Sequence, residues 1–148
     1  REGHRAIVPL TDPRFESVKR IEKGKCTGRA YTSNWSERHV GFACGLGTFG
    51  LSTSLITKYG AAGRLGSLLT TLKLPPSERS YTGVYEYCNM CGACLKRCPV
   101  NAISSISEGK DHDICSTLIN ETKVKFPPRL GCGKCQTGVP CQNKIPNT

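Results

Sequence analysis

Cys88-Asn89-Met90-Cys91-Gly92-Ala93-Cys94-Leu95-Lys96-Arg97-Cys98-Pro99 decides how the rest of this chain is read. Three cysteines spaced by two residues on a tight loop, with only Gly92 and Ala93 between the second and third, can turn three thiolates toward one polynuclear metal centre. Cys98 begins a turn later and points elsewhere, its direction set in part by Pro99. Such a loop also aims backbone N–H groups inward, which stabilises an anionic core.

Written as C-x2-C-x2-C-x3-C-P, the run resembles that of the bacterial ferredoxins. The resemblance implies a [4Fe–4S] cubane whose fourth motif cysteine leaves for a second cluster. A second set of three ligands is then required. Cys132-Gly133-Lys134-Cys135 and Cys141 offer a looser echo of the first motif, and Cys115 stands alone between them. The expected ligands are Cys88, Cys91, Cys94 and Cys141 for one cluster and Cys98, Cys115, Cys132 and Cys135 for the other. A zinc ribbon built from the two C-x2-C pairs is the main rival, and it leaves Cys94, Cys98, Cys115 and Cys141 unused. Of the ten cysteines eight lie at or beyond Cys88, and their spacing argues against a secreted disulfide framework. Cys26 and Cys44 read as small buried apolar residues.

Net charge is +10, which suits either a solvated basic surface or a polyanionic partner such as RNA. Each oxidised cluster with its four thiolates adds about −2, so two would leave roughly +6. The longest uncharged stretch, Val40 to Thr57, is broken by glycines and hydroxyl residues and is too polar for a membrane-spanning helix. A soluble, cytoplasmic protein without a membrane partner is expected. The chain opens at Arg1 and runs straight into Arg5–Leu10, which predicts a short buried strand. It therefore reads as a fragment whose N-terminal portion lies elsewhere.

Two regions are expected: a partial α+β domain over residues 1–73 and a cluster domain over 81–148, joined by a linker at 74–80. Asn34-Trp35-Ser36-Glu37 reads as a capping box. It would open a helix of roughly ten residues that Gly45 closes. Leu51–Thr57 and Leu65–Leu72 are expected to pair as a hairpin through the turn at 58–63. Val100–Ile103 predicts a strand and turn, and Asp113–Asn120 a short helix presenting Cys115. Gly45-Leu46-Gly47-Thr48-Phe49-Gly50 matches G-x-G-x-x-G, but it follows a helix, and no Asp or Glu lies between Glu37 and Glu78 to take a ribose hydroxyl.

Taken together, Glu37-Arg38, the glycine run 45–50, Leu55-Ile56-Thr57, Tyr59-Gly60, Leu65-Gly66 and the cysteine array resemble the C-terminal part of the epoxyqueuosine reductases. Those enzymes share their cofactor module with the corrinoid reductive dehalogenases. The likeness covers about residues 31–145. It implies a fragment of a nitroreductase-like domain followed by a dicluster ferredoxin-like domain, with base-off cobalamin held between them. Electrons would pass from the clusters to cobalt for a reductive reaction. Gly45, Gly47, Gly50 and Gly66 are the candidate corrinoid contacts, since glycine lets backbone approach a flat ligand. In epoxyqueuosine reductases the substrate is a tRNA anticodon base, reached unpaired and flipped. Those reductases carry an aspartate proton donor just ahead of the Glu-Arg pair. Tyr31 stands there in this sequence, as a tyrosine does in reductive dehalogenases, and is the candidate donor or else a packing residue. Cys141 is followed by Gln142, so the second run lacks the usual Cys-Pro ending. The expected partners are an electron donor of ferredoxin or flavodoxin type and tRNA. A ferredoxin-like carrier without corrinoid, and an accessory protein that reduces a partner's corrinoid, are the alternatives.

Overall fold

The computed structural model describes residues 3–22, 25–105, 109–129 and 131–146, with side chains outside 18–32. The architecture mixes α and β, built on three separate two-stranded antiparallel sheets. Strand β1 (Ala6–Ile7) pairs with β6 (Leu69–Thr70). Strand β2 (Ser17–Glu22) pairs with β3 (Lys25–Ser33). Helix α1 (Glu37–Ala43) leads into β4 (Gly47–Phe49), which pairs with β5 (Leu55–Thr57). Helices α2 (Ala93–Lys96) and α3 (His112–Lys125) carry the cysteine region.

The buried core gathers on the β4–β5 hairpin. Leu51, Leu55, Ile56, Ala61, Tyr81, Ala102, Ile103 and Val139 are buried, together with the hydroxyl residues Thr48, Ser52 and Ser54. Each hydroxyl or amide taken out of water needs a partner, and several partners come from across the molecule. Thr48 Oγ1 accepts from Tyr87 N at 2.8 Å, and Phe49 N donates to Val84 O at 2.7 Å. Tyr81 Oη donates to Phe42 O at 2.5 Å and accepts from Gly47 N at 3.2 Å. The Tyr81 ring lies against both Phe42 and Tyr87. Residues 41–66 and the cysteine region are thus tied together by shared core and hydrogen bonds.

Several expectations are corrected. Around Arg5–Leu10 only Ala6–Ile7 is strand, its two residues are exposed, and a 3-10 turn follows at Pro9–Thr11. The hairpin forms one step earlier than expected: the glycine run itself supplies β4, while Leu69–Thr70 reaches back to β1. Asn34 does not cap α1. Its amide side chain accepts from Glu16 N and donates to Arg14 O, so Ser36 takes the N-cap position and the helix is seven residues long. Gly45 does end it in the left-handed region, at φ 82°. The second expected helix runs further, over His112–Lys125, because the Asp111 carboxylate accepts from the amides of Asp113 and Ile114 and caps it. In place of a strand at Val100–Ile103 there is a single bridge from Ile103 to Lys110. Cys44 is exposed, not buried, because it is the C-cap residue of a short helix. Among the described residues no helix is long and apolar enough to cross a membrane.

Candidate metal centre

Residues 81–98 fold as a chain of tight turns. The Glu86 carboxylate accepts from the amides of Thr82 and Gly83, and those bonds, Gly83 first, pull its pKa down. Cys88 N then donates to Tyr85 O. Met90 (φ 55°) and Gly92 (φ 71°) are both left-handed, one between Cys88 and Cys91, the other between Cys91 and Cys94. Alternation of this kind turns successive amides to one side. Cys94 sits in the first turn of α2, and Cys98 lies just past its end, with Cys98 N on Leu95 O.

The fourth sulfur arrives from the far end of the chain. Ala61 N donates to Cys141 O at 2.7 Å and Ala62 N to Gln142 O at 3.0 Å, which pins the loop to the segment after β5. Cys88, Cys91, Cys94 and Cys141 then line one cavity, whose wall includes Ile56 and Val139. The Cys94 thiol is pushed up to about 11, chiefly by burial, then by the neighbouring Cys88, with Cys141 and Cys135 adding to it. Cys141 is raised by burial, then by Cys88 and Cys91. These mutual effects mean that the sulfurs share one environment. Four soft thiol donors around an apolar-walled space fit a [4Fe–4S] core, which would draw them into the thiolate form as it binds.

Cys135 belongs to a second neighbourhood. Its thiol is raised by burial, with Lys110 opposing and Cys115 and Cys132 reinforcing the rise. Cys98 Sγ accepts from Ala102 N at 3.2 Å. Ala102 O accepts from Asp111 N, and Asp111 O from Cys115 N, so a short relay of backbone bonds ties Cys98 to Cys115. Among the described residues no three His, Cys, Asp or Glu side chains come together closely enough to hold a single metal ion. A cubane spreads its four thiolates around a core of iron and sulfide, so wider spacing suits a cluster.

The glycine run is occupied by the chain itself. A Cβ at Gly47 would collide with the Ile56 carbonyl, at Gly45 it would stand 3.2 Å from Glu78 O, and at Gly50 3.1 Å from Ile56 Cδ1. Their amides are taken by Phe42 O, Tyr81 Oη and Ser54 O. Gly66 alone of the four faces open space. Tyr31 and Cys26 lie on β3, and their side chains are outside the described residues.

The contacts made by three residues went unread in the sequence. Tyr81 joins α1 to β4. Gln136 Nε2 donates to Ala61 O at 2.7 Å beside Cys135. Gly60 (φ 87°) abuts Gln142 and Asn143; a glycine directly after Tyr59 in a short turn was the available signal. Beside them runs a groove of about 360 Å³ lined by Glu37, Arg38, Thr57, Ala61–Gly63 and Gln136, among others. Among the described residues Glu37 Oε1, buried there, has no hydrogen-bond partner. A further hollow near Trp35 and Phe15 has no cysteine among the described residues of its wall.

Residues 81–104 match the 4Fe-4S binding domain family. The tetrachloroethene reductive dehalogenase of Desulfitobacterium hafniense is 31% identical over 107 residues, 68% of this chain and 19% of that protein. The trichloroethene reductive dehalogenase of Dehalococcoides mccartyi is 37% identical over 102 residues, 65% of this chain and 18% of that protein. The epoxyqueuosine reductase of Francisella cf. novicida is 31% identical over 125 residues, 76% of this chain and 33% of that protein. The chain is a relative of these reductases. It spans about a fifth to a third of their length. No solved structure matches it. With the family match on the motif and the thiols gathered around it, the chain is an iron–sulfur protein of electron-transfer type.

Proposed function

We propose that this chain passes electrons from two [4Fe–4S] clusters to a cobalamin, as part of a larger reductase of the epoxyqueuosine reductase or reductive dehalogenase kind. The observation that carries the electron-transfer part is the meeting of Cys141 with Cys88, Cys91 and Cys94 on one cavity. In this reading Cys98, Cys115, Cys132 and Cys135 hold the second cluster. Residues 1–73 belong to a nitroreductase-like corrinoid-binding domain, 74–80 to a linker, and 81–148 to the dicluster domain.

Support for the cobalamin is divided. Gly45, Gly47 and Gly50 do not fit it, since their faces and amides are spent on packing. Gly66 and the groove beside Glu37 do fit an edge of the macrocycle. A corrin's peripheral amides are hydrogen-bond donors, and the buried Glu37 Oε1 lacks one. Cobalamin supplies a strongly reducing cobalt centre when bound. This chain's residues would orient it: Glu37 accepting amide protons, and the small residues Ala61–Gly63 letting the ring edge approach. Tyr31 is the proposed proton donor. A tRNA substrate belongs to the epoxyqueuosine reductase form of the proposal, and a halogenated alkene to the other form. The spent glycines favour one alternative, a ferredoxin-type carrier without corrinoid.

Anaerobic titration of the full-length protein with cob(II)alamin, followed by electron paramagnetic resonance, separates the two. Binding with loss of the lower base changes the hyperfine pattern. No change at about 100 μM cobalamin, well above ordinary cofactor dissociation constants, would sink the corrinoid reading and leave the carrier.

A further inference from the structure

Charge along the chain is uneven where the second thiol group lies. No Asp or Glu follows Glu121, while Lys123, Lys125, Arg129, Lys134 and Lys144 do. This carboxylate-free stretch contains Cys132 and Cys135. Lys123 and Lys125 end α3, and the loop after it folds back, with Arg129 N on Phe126 O and Gly131 N on Thr122 Oγ1. That return places exposed Cys132 directly after the residue bonded to the last turn of α3. Arg97 reaches over to donate to Lys134 O at 3.4 Å.

The same turn exposes apolar surface. Val124 is 83% and Phe126 53% solvent-exposed, and Lys125 Nζ lies 5.5 Å from the centre of the Phe126 ring. Among the described residues none of Lys123, Lys125, Arg129 or Lys134 is held in an ion pair. An exposed apolar patch with Lys123, Lys125 and Arg129 beside it and a single carboxylate, Glu121, in the hollow next to Val124, close to a redox centre, has the anatomy of a transient docking face. Free cations of one sign raise the encounter rate of an oppositely charged protein.

We infer that this face docks an acidic one-electron carrier protein and that electrons enter at the cluster held by Cys115, Cys132 and Cys135. The inference rests on the two-cluster reading above. Its redox step is a plain electron transfer: a reduced flavin protein goes from hydroquinone to semiquinone, the cluster from its oxidised to its one-electron-reduced state, and no bond to this chain forms or breaks. An RNA could use the same cations, but the exposed ligand Cys132 in their midst favours a redox partner.

The test uses the cluster-loaded full-length protein and reduced flavodoxin in an anaerobic stopped-flow instrument. Lys123→Glu/Lys125→Glu should lower the second-order rate of cluster reduction ~10-fold or more at low salt. Raising ionic strength to about 0.3 M should lower the wild-type rate toward the same value. Reduction by the methyl viologen radical, a small cation, should not slow. Lys123→Gln/Lys125→Gln serves if the reversed variant loses iron, with a smaller loss expected in the same direction. A flavodoxin rate unchanged in both variants overturns the inference. So does an unchanged rate accompanied by lost affinity for tRNA, which would make the face a nucleic-acid surface. If wild-type protein holds only about four iron and lacks the second paramagnetic signal, the two-cluster reading itself fails and takes this inference with it.

Discussion

Gly60→Ala tests whether the first thiol group is assembled by packing far from the motif. Gly60 has φ 87°, where an alanine Cβ costs about 1–2 kcal/mol. The added methyl would collide with the Gln142 carbonyl and stand 2.5 Å from Asn143 N. Both obstacles are backbone, and the loop they belong to is fixed by Ala61 N on Cys141 O and Ala62 N on Gln142 O. It must move by about an ångström, and overpacking of that kind costs about 1–3 kcal/mol. The combined penalty of about 2–5 kcal/mol is a large share of a domain stability of about 5–15 kcal/mol, and it falls on the loop that delivers Cys141. After anaerobic reconstitution the variant should melt earlier and lose the paramagnetic signal of the cluster on Cys88, Cys91 and Cys94. Gly66→Ala, with nothing within 4 Å of its added methyl, should keep both. If Gly60→Ala matches wild type in melting temperature and iron content, the proposed route from Gly60 to Cys141 is wrong.

Two ligand changes should separate the clusters. Cys141→Ala should damage the Cys88/Cys91/Cys94 cluster and Cys98→Ala the one on Cys115, Cys132 and Cys135, read as loss of one or the other signal in the reduced proteins; a Cys115→Ala variant with both signals intact would overturn the second ligand set. In the metal-free protein the Cys94 thiol is held at about 11 against 9.0 for the free group. The fold therefore favours the protonated form, and its contribution is present below about pH 9 and lost as pH rises toward 11. The melting temperature of the metal-free protein should fall across that window while the loaded protein, whose Cys94 is already a bound thiolate, does not follow; parallel curves would refute this.

How much was legible in the sequence follows from how local each feature is. The run from Cys88 to Cys98 needs only its own turns and could be read; the helix around Cys115 was read too, but without its cap at Asp111 or its last turn. The expectation that Cys141 joins the first three rested on ligand arithmetic, and the structure sets the four on one cavity; the anchor at Ala61 had no local signal. Pairing of β1 with β6 joins residues more than sixty positions apart through two residues each, too short for any periodic signal. The hairpin was misregistered because β4 is Gly47-Thr48-Phe49, and a strand opening on glycine looks like loop until Ile56 is seen packed against it. Asn34 looked like a cap, yet its polar atoms went to a tertiary contact with Arg14 and Glu16. A local rule gave way there to a longer-range bond.

The two thiol groups differ in surroundings, and on the dicluster reading that difference orders the electron path. Cys94 and Cys141 owe their raised pKa values first to burial and then to neighbouring cysteines, Cys88 foremost, and no cation appears among the causes. Their cavity is walled by Ile56 and Val139. At Cys135 the charge of Lys110 opposes burial, while each group has one exposed cysteine, Cys91 in the first and Cys132 in the second. Reducing a cluster adds negative charge, which a nearby cation favours and an apolar wall disfavours. The cluster beside Lys110 should therefore hold an electron more readily, and the one walled by Ile56 and Val139 should be the stronger reductant. Both groups adjoin the open groove, one through Ala61, which holds the Cys141 loop, the other through Gln136, which follows Cys135. A demanding reduction in that groove would draw on the stronger reductant, and on these surroundings that is the cluster on Cys88, Cys91, Cys94 and Cys141.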